Sequence, residues 1–228
     1  MDSAKSSLYK DKPLKAKQAI RGLLVFAAIY CLLLACWPVV GKVYSRMHRL
    51  GATFLFGSFG TNGVVRFGEC NVKGFDTEIT LYNFGRATKS GVAKKGWSYK
   101  CRRTDYMYVV FLIALIVATP ISVRRKLPAL VSGILLIYCF IAAKLAAWVI
   151  DSFSKEPLCL FSISPFWEKG FYVFYNLMQD ITFGFVAAAF IWILVSFRRE
   201  DWANIVSGEQ KSVRIPLRPV AKAKMGRA

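Results

Sequence analysis

The residues that could carry covalent chemistry in this sequence are a single histidine, His48, and six cysteines. A cysteine peptidase needs a thiol nucleophile, a nearby base and a donor that stabilises the oxyanion. The residues of this kind that follow the first apolar segment are Arg46, His48, Arg49, Cys70, Cys101 and Cys159. No local signature links the histidine to any one of the thiols, so we predict no catalytic residue. A membrane-embedded cysteine peptidase or transpeptidase remains the alternative.

Metal and cofactor motifs are missing from the sequence. There is no CxxC pair, no HExxH motif and no glycine-rich phosphate-binding loop. A single histidine leaves metal ligation without a usable cluster of ligands. The sequence therefore predicts no metal site and no cofactor, and it indicates a protein that is not an enzyme.

The apolar residues of the chain are gathered into blocks instead of recurring with amphipathic periodicity. Hydrophobic residues make up 55% of the 228, and the mean hydropathy is +0.39. A bilayer core requires about 20 mostly apolar residues per helix. The blocks predict an all-α transmembrane protein with four helices, at residues 19–42, 106–123, 128–150 and 170–197.

The first apolar block is better explained as a permanent helix than as a removable signal peptide. It is too long and lacks a convincing small-residue cleavage site. The stretch "LLLACWPVV" does resemble a lipoprotein box around Cys36, which is the alternative interpretation.

Basic residues in the short flanks of these helices predict the orientation of the chain, because Lys and Arg resist translocation. Bases crowd the amino-terminal segment 1–18, the turn between the second and third helices, and the tail 198–228, whereas residues 151–169 hold two bases and three acids. We expect both termini to be cytoplasmic. The predicted contacts with anionic lipid headgroups are Arg124, Arg125, Lys126, Arg198 and Arg199.

The segment 43–105 must then lie outside despite its many bases, and it is long enough to translocate regardless of charge. Val43, Met47, Leu50 and Phe54 share one helical face, which predicts that the first helix continues or bends along the membrane surface. Beyond it, three runs of β-branched and aromatic residues separated by turn signals predict a small β-containing region. The formal net charge of +19 is divided between two sides, so it does not indicate nucleic-acid binding.

Cysteines are sorted by compartment in this topology. Cys31, Cys36 and Cys139 fall in predicted membrane helices and are interpreted as small packing residues. Cys70 and Cys101 fall in predicted strands on the oxidising side, where a disulfide could stabilise the sheet by about 3 to 4 kcal/mol. Two free thiols are the alternative, and Cys159 in the second outer loop has no assigned partner.

Two charged residues interrupt the apolar runs, Lys144 in the predicted third helix and Asp180 in the fourth. Ionisable groups within a membrane are costly and tend to pair. We predict an ion pair between Lys144 and Asp180 that clamps the two helices. An ion or proton pathway is the alternative, although a conduit would need more polar residues.

The order of the segments resembles the exosortase-associated membrane proteins of bacteria. The resemblance is carried by "DYMYVVFLIALIVATP", "RRKLPALVSGILL", "AAWVIDSF" and "YNLMQDITFGFV", and it spans roughly residues 19–197. It implies a non-enzymatic accessory or scaffold subunit of the bacterial inner membrane, linked to exosortase-type protein sorting. The expected partners are the lipid bilayer and other membrane protein subunits.

Overall fold

The computed structural model describes residues 12–88 and 91–197. These residues are mostly helical, and they include one small antiparallel sheet. The elements follow the order of two helices, four strands, a π-helical turn and four further helices. The predicted helical class with a β-containing segment after the first helix is therefore correct at this coarse level.

Helices α1 (Lys12–Ala35) and α2 (Trp37–Phe56) meet at a bend of 72°. Pro38 lies in the first turn of α2, where its missing N–H breaks no helical hydrogen bond. The face of α2 that carries Val43, Met47, Leu50 and Phe54 is 62% to 89% exposed, whereas Gly41, Ser45 and Ala52 on the other face are buried. Of the two predicted alternatives, continuation or a bend, the structure shows the bend, and the four apolar residues do share one exposed face of α2.

The sheet is a meander in the order β1 (Ser58–Phe59), β2 (Gly63–Glu69), β3 (Thr77–Thr88) and β4 (Gly91–Tyr99). At one end of the sheet, Glu69 pairs with Thr77, and Thr77 pairs with Tyr99. Alternating residues point to opposite faces of a strand, so one face collects the buried side chains. These are Val65, Ile79, Leu81 and Ala93.

This buried face of the sheet is covered from within the chain. Ala52 of α2 and the carboxyl-terminal end of α4 (Val123–Ser154) pack against it, together with Leu158 of the loop that follows. The Asn83 amide donates a 2.7 Å hydrogen bond to the Leu158 carbonyl, and Phe59 stacks on Phe153. A small sheet is marginal alone in water, and these contacts supply the support that it needs.

The helical bundle is formed by α1, α3 (Met107–Ala118), α4 and α6 (Ile181–Ser196). A π-helical turn, Arg102–Tyr106, leads from the sheet into α3. Continuous apolar sequence gives α3 buried side chains on several sides, because α1, α4 and α6 all contact it. The core of the bundle contains Tyr108, Leu112, Ile116, Ile137, Ile141, Ala188 and Ile191.

The predicted fourth helix is divided into two elements, α5 (Pro165–Gln179) and α6, with a bend of 79° between them. Asp180 stands at the break with extended backbone, and its Oδ1 atom accepts a 2.6 Å hydrogen bond from the Thr182 N–H. Aspartate is a favourable residue at a helix amino terminus because it satisfies a free backbone donor. A single straight helix over 170–197 is therefore wrong.

Among the described residues, α4 is the one helix that is long and apolar enough to cross a membrane by itself. The bent pairs α1–α2 and α5–α6 raise the number of spans to three if each pair is counted as one. Helix α3 has 12 residues and falls short of the length of a span. The structure thus does not confirm the prediction of four membrane-spanning helices.

Candidate functional site

A buried cluster of His48, Cys101 and Asp105 lies where the sheet meets the helices. The His48 Nε2 atom is 3.0 Å from the Asp105 Oδ2 atom, and the two side chains are 6% and 0% exposed. Cys101 is also fully buried. One potential ligand or reactive atom from each residue lies within 4.8 Å of the other two. An imidazole, a thiol and a carboxylate therefore lie together in a buried position.

The backbone around the π-helical turn positions two of these residues. Asp105 follows Cys101 by four positions, so one helical turn brings their side chains to the same face. The Cys101 N–H donates a 2.9 Å hydrogen bond to the Asp76 carboxylate, which fixes the point at which β4 gives way to the turn. His48 reaches the same place from α2. The cluster thus depends on three separate segments of chain.

Tyr99 and Thr77 form a second layer around the cluster. The Tyr99 hydroxyl donates a 2.8 Å hydrogen bond to Asp105 Oδ1, and its ring stacks on that of His48 with centroids 5.7 Å apart. The Thr77 hydroxyl oxygen lies 3.3 Å from the Cys101 sulfur. Within the described residues, His48 Nδ1 and Asp105 Oδ2 have no partner with hydrogen-bond geometry. Neighbouring groups hold the side chains of the cluster in place, but two of its polar atoms lack a hydrogen-bond partner.

Burial raises the pKa of two groups at this place, the Cys101 thiol and the Tyr99 hydroxyl. It raises the pKa of the Cys101 thiol, and the nearby Asp105 carboxylate raises it further. Burial and the same carboxylate also raise the pKa of Tyr99 well above its ordinary value. Because the reactive form of cysteine is the thiolate, Cys101 has the opposite of the environment that activates a nucleophile.

Two cavities flank Lys100 and Arg103 beside the cluster, and both are also lined by Phe75. The first, which we call the basic cavity, has a volume of about 470 Å³. Its charged lining residues are Lys42, Arg49, Asp76, Lys100, Arg102 and Arg103. The second, the aromatic cavity, has a volume of about 480 Å³ and includes Trp97, Trp148 and Tyr175. Positive charge and aromatic surface therefore lie side by side.

Most of the positive charge in the basic cavity is uncompensated within the described part of the chain. Arg49 is engaged, since it forms a 2.7 Å salt bridge with Glu69 and donates to the Asp76 carbonyl. Lys100 lies over the Phe75 ring, 4.5 Å from its centroid. Of the described carboxylates, none forms a salt bridge with the remaining bases, which are Lys42, Lys100, Arg102 and Arg103. The cavity is suited to an anionic group.

The predicted disulfide between Cys70 and Cys101 is absent, and both thiols are free. Cys70 follows β2 and Cys101 follows β4, with β3 paired between these two strands. Two strand spacings amount to roughly 9.5 Å, which exceeds the Cα separation that a disulfide spans, at most about 7 Å. Cys70 Sγ instead lies 3.7 Å from the Ser98 hydroxyl.

The predicted ion pair between Lys144 and Asp180 is not formed either. Lys144 is 3% exposed, and its Nζ atom lies 5.2 Å from the centroid of the Tyr108 ring. Asp180 is exposed and bonds to the α6 amino terminus. The two residues are nevertheless near neighbours in the fold, since the Gln179 amide donates to the Lys144 carbonyl at 3.3 Å. Lys144 therefore lies over an aromatic ring and Asp180 caps a helix, in place of the ion pair expected between them.

The remaining predicted residues are placed as follows. Arg124 and Arg125 are exposed in the first turn of α4, and the Lys126 ammonium donates to the Val117 carbonyl at 2.6 Å. Arg198, Arg199 and the rest of the tail lie outside the described residues. Cys159 is exposed in the loop after α4, with a positive φ of 39°. The structure does not join Cys159 and His48 through any described bond.

Asp105 was not among the candidate residues predicted from the sequence, because the sequence marks it only as the last charge before an apolar run. A usable signal existed. His48 and Asp105 each stand beside an apolar segment on the side predicted to be outside, so similar membrane depth could have brought them together. The basic cavity gave a weaker signal, because its bases are spread between residues 42 and 103.

No protein-family model, curated protein or solved structure matches this chain.

Proposed function

We propose that the protein is a non-enzymatic, multi-pass accessory subunit of the bacterial inner membrane that holds the phosphate group of an anionic lipid at its outer face. Both termini are cytoplasmic in this proposal, and the sheet lies outside. The bound lipid connects the subunit to a larger membrane assembly. The resemblance to exosortase-associated proteins makes an exosortase-type sorting system the proposed assembly.

The positions of the two ends of α4 support the membrane topology. Its 32 residues rise about 48 Å, which separates the basic turn at its start from the sheet at its end. The two segments that carry the predicted outer loops pack against each other, as the hydrogen bond between Asn83 and Leu158 indicates. The basic turn lies at the opposite end, where the positive-inside rule requires it.

The two bends support a membrane-surface role for α2 and α5. Helix α5 has no buried residue, although it includes the exposed side chains Phe166, Trp167, Tyr172 and Val173. Aromatic residues favour the boundary between headgroups and acyl chains. With α2 and α5 lying along the outer boundary, α1, α4 and α6 cross the bilayer. Helix α3 alone is too short for a crossing, and in this proposal the π-helical turn lengthens it to about 25 Å, so that the two together form the fourth crossing.

The observation that carries the proposed function is the basic cavity. Five of its six charged lining residues are basic, and one is acidic. Guanidinium groups and ammonium groups both bind phosphate oxygens, the former with two parallel hydrogen bonds. The aromatic cavity beside it supplies apolar surface for the part of a lipid next to its headgroup. A phosphate attached to an apolar chain matches both cavities at once.

The alternative, a cysteine peptidase, has weaker support from the geometry. Cys101 is the cysteine that lies beside the histidine, but it is fully buried and its thiol pKa is raised. His48 approaches the Asp105 carboxylate at 3.0 Å and is thereby directed to an acid instead of a thiol. Cys159 is exposed but has no base among its described bonds. Neither thiol has the environment of an activated nucleophile.

Lipid binding can be tested with the full-length protein in mild detergent. We expect phosphatidylglycerol to raise the melting temperature more than phosphatidylcholine does, and the double variant Lys100→Gln/Arg103→Gln to lose that difference. The double variant Lys94→Gln/Lys95→Gln is the matched control, since it removes the same charge from β4 outside the lining of either cavity. An equal response to both lipids, or an equal loss in the control, would contradict the proposal.

The accessory role needs a separate measurement. Affinity purification after crosslinking of intact membranes should recover at least one membrane protein at a fixed ratio, and the Lys100→Gln/Arg103→Gln variant should recover less of it. Recovery of the chain without a partner at any fixed ratio would refute the accessory role, while leaving the lipid measurement to stand by itself.

A further inference from the structure

We propose that His48, Cys101 and Asp105 form a binding site for a divalent transition-metal cation, with zinc as the best match. The three side chains offer an imidazole nitrogen, a sulfur and a carboxylate oxygen, and these atoms all lie within 4.8 Å of one another. The site is distinct from the two cavities described above, because none of its three residues lines the basic or the aromatic cavity.

The ligand atoms can share one ion after side-chain adjustments of up to roughly 1.5 Å. Zinc binds nitrogen and oxygen at about 2.0 to 2.1 Å and sulfur at about 2.3 Å, so tetrahedral ligands lie roughly 3.3 to 3.6 Å apart. His48 Nε2 and Asp105 Oδ2 are already 3.0 Å apart, yet that oxygen has no partner with hydrogen-bond geometry in the described residues. An ion between the two atoms would satisfy a buried oxygen that is otherwise left without a directed bond.

Charge balance also favours a divalent cation. A buried carboxylate is expensive unless its charge is compensated. When a divalent ion binds, the Cys101 thiol loses its proton to solvent, and the imidazole stays neutral. The two negative ligands then cancel the two positive charges of the ion. The occupied site is therefore neutral overall, which suits a fully buried position.

The donor types select the class of metal. Thiolate and imidazole are ligands of zinc and related transition metals, whereas calcium and magnesium prefer oxygen alone. Three protein ligands are the number found in zinc sites that keep one position open for water or another ligand. Tyr99 and Thr77 supply the outer contacts that orient the ligands, through Asp105 Oδ1 at 2.8 Å and Cys101 Sγ at 3.3 Å.

Cobalt(II) is a suitable probe, because a thiolate ligand gives it a charge-transfer absorption that oxygen and nitrogen ligands do not give. The full-length protein, purified in detergent without chelator, should develop this absorption at one equivalent of cobalt, and one equivalent of zinc should abolish it. The Cys101→Ser variant should lose the absorption. Cys70→Ser is the matched control and should keep it, since Cys70 does not belong to the cluster.

The hydrogen bond from Tyr99 to Asp105 provides a second test, in which all three metal ligands are kept. Tyr99→Phe removes only the hydroxyl that donates to Asp105, and we expect it to weaken zinc binding by about 10- to 100-fold while the cobalt absorption retains its shape. Tyr82→Phe on β3 is its control and should bind like the wild type.

The wild-type spectrum decides the proposal even if Cys101→Ser fails to fold. Absence of a thiolate-to-cobalt absorption in the folded wild type would show that the three residues form only a buried structural pair with a neighbouring thiol. Equal loss of the absorption in Cys70→Ser and Cys101→Ser would likewise overturn the assignment of the ligand.

Discussion

Asp105 connects two buried polar groups, because its carboxylate meets both His48 and the Tyr99 hydroxyl. Replacing it with alanine leaves two buried polar groups without their partner. We expect Asp105→Ala to lower the free energy of unfolding by about 3 kcal/mol, measured as a fall in melting temperature in detergent without added metal.

The surface pair of Arg86 and Glu156 is the control for this effect. Their atoms are 3.9 Å apart and their side chains are 44% and 85% exposed, so Glu156→Ala should cost less than about 1 kcal/mol. A similar loss of unfolding free energy in both variants would mean that the burial of Asp105 does not increase its contribution to stability.

Thiol labelling distinguishes the buried Cys101 from the exposed Cys159 in the loop after α4. A membrane-impermeant maleimide should modify Cys159 rapidly in the folded protein and should leave Cys101 unmodified until a denaturant is added. Burial and the raised pKa of the Cys101 thiol both act in this direction. Peptide mapping by mass spectrometry identifies the labelled residue. Rapid labelling of Cys101 at neutral pH would instead favour the peptidase alternative.

Lys144 and Asp180 should behave as independent residues, because one lies over an aromatic ring and the other caps a helix. Asp180→Leu removes the cap and should cost about 1 kcal/mol, whereas Asp180→Asn keeps an acceptor and should cost little. Adding Lys144→Met to Asp180→Leu should give an additive change in melting temperature. Rescue in the double variant would restore the ion pair predicted from the sequence.

At the scale of the elements, the amphipathic pattern predicted a helix that continues or bends after α1, and turn residues predicted the strands beyond it, because both signals are local. The break between α5 and α6 was missed, although Asp180 before Ile181 and Thr182 has the chemistry of a helix start. The apolar residues on both sides of Asp180 are typical of one continuous membrane helix, so the break was not predicted. The π-helical turn has no comparable sequence signal, since it depends on how β4 is joined to α3.

The contact between α3 and α6 depends on a glycine. A Cβ atom at Gly184 would lie 2.3 Å from the buried Tyr108 ring, whereas one at Gly170 in α5 would meet nothing within 4 Å. We expect Gly184→Ala to lower the melting temperature. Gly170→Ala should leave it unchanged or raise it, since alanine favours a helix by about 1 kcal/mol over glycine. Equal effects of the two substitutions would mean that α3 and α6 do not pack as closely as described.

At the scale of the whole molecule, the pattern of bases predicts that residues 43–105 and 151–169 lie on the same side of a membrane. The structure brings these two segments into contact through Asn83 and Leu158, as that prediction requires. The sequence could not predict the cluster of His48, Cys101 and Asp105, because three segments separated by up to 57 positions must first be folded together. The wrong prediction of a disulfide has the same origin, because the position of β3 between the strands that precede Cys70 and Cys101 is set by the folded sheet.

The proposed topology can be tested with single cysteines introduced into a cysteine-free variant in intact cells. An impermeant maleimide should label position 94 on β4 and position 159, and it should label position 125 only after the membrane is permeabilised. Arg125 is exposed in the first turn of α4, so its protection would reflect its compartment instead of burial. Labelling of position 125 from outside would contradict the cytoplasmic placement of the basic turn.

The contact between Asn83 and Leu158 also constrains the order of events during synthesis. The sheet emerges 75 residues before the loop segment that covers its buried face. In the proposed topology, until α4 has entered the bilayer and that segment has followed, Asn83 lacks its Leu158 partner and the sheet face that includes Leu81 is covered only by α2. The uncovered part of that face would be open to a translocation-associated chaperone. A ribosome-arrested chain that ends within α4 should therefore expose the sheet to protease, and release of the next 15 residues should protect it.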